Sequence, residues 1–175
     1  RLERREEITL AFAKVFAQHG FAGATMVAIA SEVGVSPGLL HHHFNDKQEM
    51  LHELFFFLVS DFDRRIQQHT RNGEAAIGAM IDAALSKDEF SDQSLAKCWI
   101  GLLSESLRNQ DLYLKVQHYF RNQVRQVESL AQIRTNESSA IVAFILGSLM
   151  FDTFVADGLD GSAVHHAHRL LDLFR

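Results

Sequence analysis

The side chains best suited to chemistry in this chain of 175 residues are its ten histidines, and their spacing restricts what they can do. His41, His42 and His43 are consecutive, so on a helix they project about 100° apart and cannot close on one metal ion. His165 and His168 stand at i and i+3, with Asp172 a turn further on. With no further ligand in sight they read as a surface or interface pair, and no metal site is assigned. The chain has no H-E-x-x-H, P-loop or dinucleotide fingerprint, and no G-x-S-x-G nucleophile turn. Cys98 is the single cysteine, which excludes an internal disulfide and suits a reducing cytoplasm. Lying on an apolar helix face, it reads as an inert core thiol. No feature supports an enzyme, and no cofactor is expected.

Binding chemistry has better support. Met80, Trp99, Tyr113, His118, Tyr119, Phe120, Phe144, Phe151 and Phe154 fall on helical segments of the C-terminal two thirds. A bundle of such helices can enclose an apolar pocket with a few polar groups. Aromatic faces can also box a quaternary ammonium by cation–π attraction, with Glu105 or Asp152 as countercharge. The contacts expected for a ligand are Met80, Trp99, Tyr113, Tyr119, Phe120 and Phe151. The competing use of the same side chains is plain core packing.

These residues must be positioned by helices, because no strand pattern, internal repeat or low-complexity tract appears. A first helix is expected from about residue 3 to 19, with Ile8, Ala11, Phe12, Val15 and Phe16 as its apolar stripe and Gly20 as its stop. A long helix starts after the capping residues Asn45 and Asp46 and runs to about residue 70. It carries Met50, Leu51, Leu54, Phe55, Leu58, Phe62 and Ile66 inward, and its Phe55-Phe56-Phe57 run reads as buried on both sides. Further helices are expected at about 74–86, 95–109, 111–132, 137–156 and 162–174. The breaks between them fall at Asn72-Gly73, around Phe90, at Asn109-Gln110-Asp111, and at Asp157-Gly158 and Asp160-Gly161.

Between the first and the long helix lies the most informative stretch, residues 25–47. Thr25 can cap a short helix in which Ile29, Ala30 and Val33 share one face, and Gly34 can take the positive φ that follows a helix end. Val35 reads as a buried plug, Ser36 as a second N-cap, and Pro37 as the first residue of a helix reaching His43. That helix turns Leu40 and Phe44 inward and leaves Leu39, His41, His42 and His43 projecting. Two helices joined by a short turn with Gly form a helix-turn-helix, whose second helix can enter a DNA major groove.

Ala30, Gly34, Val35, Ser36, Gly38, Leu40, His43, Phe44, Lys47, Glu49 and Leu51 together resemble the DNA-binding region of the TetR family of bacterial transcriptional regulators. His41 stands where that pattern usually has Tyr, and Gln48 displaces the acidic position by one. The resemblance implies an all-α fold: an N-terminal three-helix helix-turn-helix head at residues 1–46, and a helical bundle body of about six helices at residues 47–175 for ligand binding and dimerisation. It implies a homodimeric repressor released from a palindromic operator by a small-molecule effector. Leu39, His41 and His42 would face bases or groove edges, while Thr25, Ser36, His43 and Lys47 would hold phosphates, with Pro37 and Gly38 at the same surface. The dimer would form through the last two helices, about 137–156 and 162–174, where Ala140, Gly147 and Ser148 allow close approach. The stretch 95–125, with Ala96, Trp99, Leu112, Tyr113, Arg121 and Arg125, together with Asp157-Gly158-Leu159, resembles the BetI subgroup, whose members respond to choline.

Charge is the feature that runs against DNA binding. The formal net charge is −5. In residues 1–50, Arg1, Arg4, Arg5, Lys14 and Lys47 face Glu3, Glu6, Glu7, Glu32, Asp46 and Glu49, a balance of −1. Phosphate contacts would then come from helix N-terminal amides, Lys47 and histidines, doubled by a two-fold dimer and extended by residues upstream of Arg1. The alternative this balance favours is a helical small-molecule-binding or interaction protein without DNA binding. No apolar run approaches the ~18 residues of a membrane span, and a cytoplasmic protein is expected.

Overall fold

In the computed structural model the structure describes residues 2–71, 76–85, 93–154, 165 and 167–169. Among them the order is α1 (Leu2–Gly23), α2 (Met26–Val33), α3 (Pro37–His41), α4 (Lys47–Arg71), α5 (Ala76–Leu85), α6 (Gln93–Ser106), α7 (Gln110–Ala131) and α8 (Thr135–Phe154). The described residues contain no strand, as the all-α expectation requires. The helix expected at 162–174, the breaks at Asn72-Gly73, Asp157-Gly158 and Asp160-Gly161, and the loop around Phe90 lie outside the described residues, apart from residues 165 and 167–169.

The chain divides into two compact units, Arg1–Ser60 with Gln93–Leu112, and Asp61–Asp92 with Tyr113–Arg175. In the first, α1 packs chiefly on α6 and α2. Its core joins Ile8, Phe12 and Phe16 of α1, Ile29 of α2, Leu40 of α3, Phe44, the α4 face of Met50, Leu51, Leu54 and Leu58, and Cys98 and Leu102 of α6. Helices α1 and α6 approach closely because residue 101 is glycine: a Cβ there would lie 2.8 Å from two atoms of the Phe16 ring. The Cys98 thiol donates to the Ala13 carbonyl at 3.2 Å, and burial pushes its pKa up to about 12. That is the expected inert core thiol.

In the second unit, Met80 of α5, Val127 of α7 and Ile141 of α8 form the core, flanked by Ile66, Ile77, Ile133, Val142 and Ile145. The buried Arg65 is held within it by Asp61 at 2.9 Å and by the Ala83 carbonyl at 3.5 Å. His168 Nε2 meets the Asp82 carboxylate at 3.1 and 3.2 Å. This histidine pairs with α5, and no cluster of three metal-ligating side chains occurs among the described residues.

Gly20 stops the regular first helix as expected: its φ of 66° and ψ of 179° are non-helical, and a further turn runs on to Gly23. One expectation changes. In the Phe55-Phe56-Phe57 run only Phe55 is buried, whereas Phe57 is half-buried and Phe56 exposed. Consecutive helical residues point about 100° apart, so three in a row cannot share one interior.

Candidate nucleic-acid interface and effector site

The helix-turn-helix is built by local capping. Thr25 Oγ1 accepts from Ala28 N at 3.1 Å and starts α2. Gly34 closes it at φ 77°, in the left-handed region that suits a residue without Cβ, while Val35 N donates to Ala30 O at 2.9 Å. Ser36 Oγ then accepts from Leu39 N at 3.3 Å, and Pro37 opens α3 at a position where no N–H is needed. α3 is shorter than the sequence suggests: it ends at His41, with His42 as its C-cap, and Val35 is half-buried rather than a plug. Asp46 Oδ1 caps α4 by accepting from Glu49 N at 2.8 Å, and Glu49 Oε2 accepts in return from Asn45 N at 2.8 Å.

One guanidinium fastens this assembly. Arg5 reaches from α1 to the His43 carbonyl. It donates to Glu49 Oε1 from both terminal nitrogens at 3.1 Å and to Glu53 Oε2 at 3.1 Å, and it lies 4.1 Å above the Phe44 ring centroid. Its hydrogen bonds to Glu53 and Glu49 raise its pKa despite desolvation. The Glu49 carboxyl is held below the ordinary carboxylate range, first by the Asn45 backbone N–H and then by Arg5. Lys47, expected at a phosphate, donates to the Phe21 carbonyl and sits 4.3 Å from the Phe21 ring centroid. Lys14 pairs with Glu32, and Arg4 with Glu7. Every lysine and arginine described between residues 2 and 50 is thus engaged within the fold.

Thr25, Ser36, Pro37, Gly38, Leu39, His41 and His42 are exposed, the first at the N-cap of α2 and the others along the start of α3 and its end. His43 is the exception, half-buried with Nδ1 enclosed and unpartnered. A Cβ on Gly38 would touch only Ser36 Oγ, at 3.9 Å, so the fold itself does not require glycine there. Sequence inspection missed Val27, which stands 67% exposed on α2. It breaks the apolar face set by Ile29 and Ala30. The tie between Asn109 Nδ2 and Gln48 Oε1 at 2.8 Å was also missed, its partners being 61 residues apart.

The expected ligand contacts are drawn from both units. Trp99 belongs to the first unit, and Met80, Tyr113, Tyr119, Phe120 and Phe151 to the second. Met80 is part of the apolar core. Tyr113 Oη accepts from Gln117 at 3.1 Å. Tyr119 and Phe120 meet edge to face, with centroids 5.4 Å apart. Burial, and next the charge of Asp63, pushes the Tyr119 phenol well above its ordinary range. Phe151 lies on the exposed side of α8 with Phe144 and Phe154.

A compact helix-turn-helix carrying an exposed second helix defines the class as DNA-binding regulators. Residues 8–54 match the sequence model of bacterial regulatory proteins of the TetR family. The HTH-type transcriptional regulator BetI of Brucella anthropi is 24% identical over 168 residues, spanning 94% of this chain and 86% of the relative. BetI 2 of Chromohalobacter salexigens is 26% identical, spanning 97% and 87%. Among solved structures, a TetR regulator from Haloarcula marismortui superposes with a TM-score of 0.81 at 17% identity, covering 99% of this chain and 97% of the other. A regulator from Saccharomonospora viridis in complex with choline gives 0.77 at 19% identity, covering 98% and 97%. The DNA-binding domain at residues 8–54 is thus that of the TetR family, and along most of its length the chain is similar to transcriptional regulators rather than to enzymes. Among the described residues no helix is long and apolar enough to cross a membrane.

Proposed function

We propose that the protein is a homodimeric repressor, acting in the cytoplasm on a palindromic operator and released by a small cationic effector of the quaternary ammonium class. The observation that carries the DNA half of this reading is the exposed surface of Thr25, Ser36, Pro37, Gly38, Leu39, His41 and His42 on doubly capped short helices. Leu39, His41 and His42 read groove edges, and Gly38 leaves the backbone open to close approach. Thr25 and Ser36 stand at the phosphate side. Lys47 and His43 act one step back, holding the turn, and contribute to phosphate binding only by exchanging their internal contacts. Residues 1–46 serve DNA binding and residues 47–175 serve effector binding and dimerisation.

The dimer is supported by α8, where Phe144, Phe151 and Phe154 (74% exposed) line one side with Gly147 between them. An apolar stripe of that kind is what an isologous pairing covers. The expected partners are this helix and the segment 162–174 of each copy. The effector class is supported by the choline-bound structure of the S. viridis relative and by the BetI relatives.

The test is selection of genomic fragments with the purified protein, followed by a salt titration on the best site. A palindromic consensus, affinity falling with salt and loss of binding on His41→Ala are expected. Undetectable or salt-independent binding to every fragment would move the assignment to a small-molecule binder without DNA recognition.

A further inference from the structure

Reading bases in a groove takes particular side chains, and the head offers few of them. A guanine edge is taken by arginine or lysine, an adenine edge by the amide of asparagine or glutamine, and a cytosine amine by a carboxylate. Between Lys14 and Lys47 the chain has no lysine or arginine, and between Gln18 and Asn45 no asparagine or glutamine. Glu32 is the sole carboxylate from Gly20 to Phe44, and it is paired with Lys14 at 2.5 Å. Helices α2 and α3 and the turn between them therefore hold none of these groups free for a base edge.

What the two helices present instead is apolar. Val27 is 67% exposed and Leu39 36% exposed. Val27 lies two residues before the buried Ile29, about 200° around α2, and so is turned away from the packed face. Packing does not account for it, and valine is a poorer helix former than alanine at an exposed position. Leu39 projects from α3 beside Leu40, which is fully buried and anchors the helix. The feature of a base pair that an apolar side chain recognises in the major groove is the 5-methyl group of thymine.

We propose that Leu39 and Val27 read thymine methyl groups, so that each operator half-site is an A·T-rich element that turns thymines toward α3 and the start of α2. The inference rests on the DNA reading given above and names the bases it selects. His41 and His42 supply the hydrogen bonds beside these apolar contacts.

The experiment exchanges thymine for deoxyuridine, one position at a time, throughout the operator recovered by fragment selection. Each exchange removes one methyl and keeps every hydrogen-bonding group. Affinity is read by fluorescence anisotropy for the native full chain, Leu39→Ala and Val27→Ala. With the native protein, the position read by each residue should lose about fourfold, the worth of one buried methyl. Leu39→Ala should be indifferent to the exchange at one position and Val27→Ala at the other, each keeping the loss where the other residue reads. The scan on the native protein needs no variant, so it stays decisive should either substitution unfold the chain. Native affinity unchanged at every exchange, or losses that persist undiminished in both variants, overturns the inference and leaves the DNA reading intact. Failure of every fragment to bind overturns the DNA reading and this inference with it.

Discussion

Removing the guanidinium of Arg5 tests the architecture of the head most directly. Its side chain is 28% exposed, and those of Glu49 and Glu53 are 33% and 41% exposed, so each ion pair counts at the partly screened level. The two pairs contribute about 1.5 kcal/mol together at that exposure. Uncovering the His43 carbonyl costs about 1 kcal/mol, and loss of the cation–π contact with Phe44 adds about 0.5 kcal/mol. Arg5→Ala should therefore destabilise the fold by about 3 kcal/mol, and at ~3 °C per kcal/mol for a chain of this length the melting temperature drops about 9 °C. Arg5→Lys should recover less than half, because an ammonium cannot serve two carboxylates and a carbonyl in one plane. The effect should also depend on pH. Since the Glu49 carboxyl is depressed in the fold, its contribution is present above the ordinary carboxylate pKa and is lost as pH falls through the lowered value. The gap between native and variant melts should therefore narrow below about pH 4. Operator binding well below the melting temperature should keep its salt slope, because Arg5 is not a phosphate contact. A melting shift under about 2 °C, or a salt slope reduced by about one unit, would refute this account.

Four further outcomes are expected. Gly38→Ala should raise stability by about 0.4–1 kcal/mol, since a first-turn glycine is replaced without a clash, yet weaken operator binding in fluorescence anisotropy; equal affinity would mean that no DNA approaches that backbone. Gly101→Ala should cost about 1–3 kcal/mol in denaturant unfolding because its methyl enters the Phe16 ring, and adding Phe16→Leu should recover part of the loss. Cys98 should not react with a disulfide reagent at pH 8 in the native protein and should react at once on unfolding, given a buried thiol with its pKa at about 12. Gly34→Ala should cost about 1 kcal/mol through backbone strain alone, as nothing lies within 4 Å of the new methyl.

Much of the head was legible because its determinants are local. Thr25, Ser36 and Asp46 act on amides three residues on, and Gly34 on the helix it ends. The apolar stripe of Met50, Leu51, Leu54, Phe55 and Leu58 on α4 follows from helical spacing in the same way. What remained hidden depends on partners far along the chain. Arg5 meets His43, Glu49 and Glu53 across 38 to 48 residues, a separation that no local pattern announces. The internal tie of Lys47 was hidden too, its partner being a backbone carbonyl, which no side-chain pattern announces.

The inward use of Lys14, Arg5 and Lys47 bears on how such a regulator would search a genome. A head whose cations are committed to its own carboxylates and carbonyls gains little from the uniform charge of random duplex, so its residence on decoy sequence is short. The ratio of operator to background binding then rests on shape and base edges rather than on bulk attraction. An acidic regulator present in few copies would in this way stay free in solution instead of being titrated by the chromosome. Restoring exposed lysines to the head would tighten binding everywhere and discriminate less.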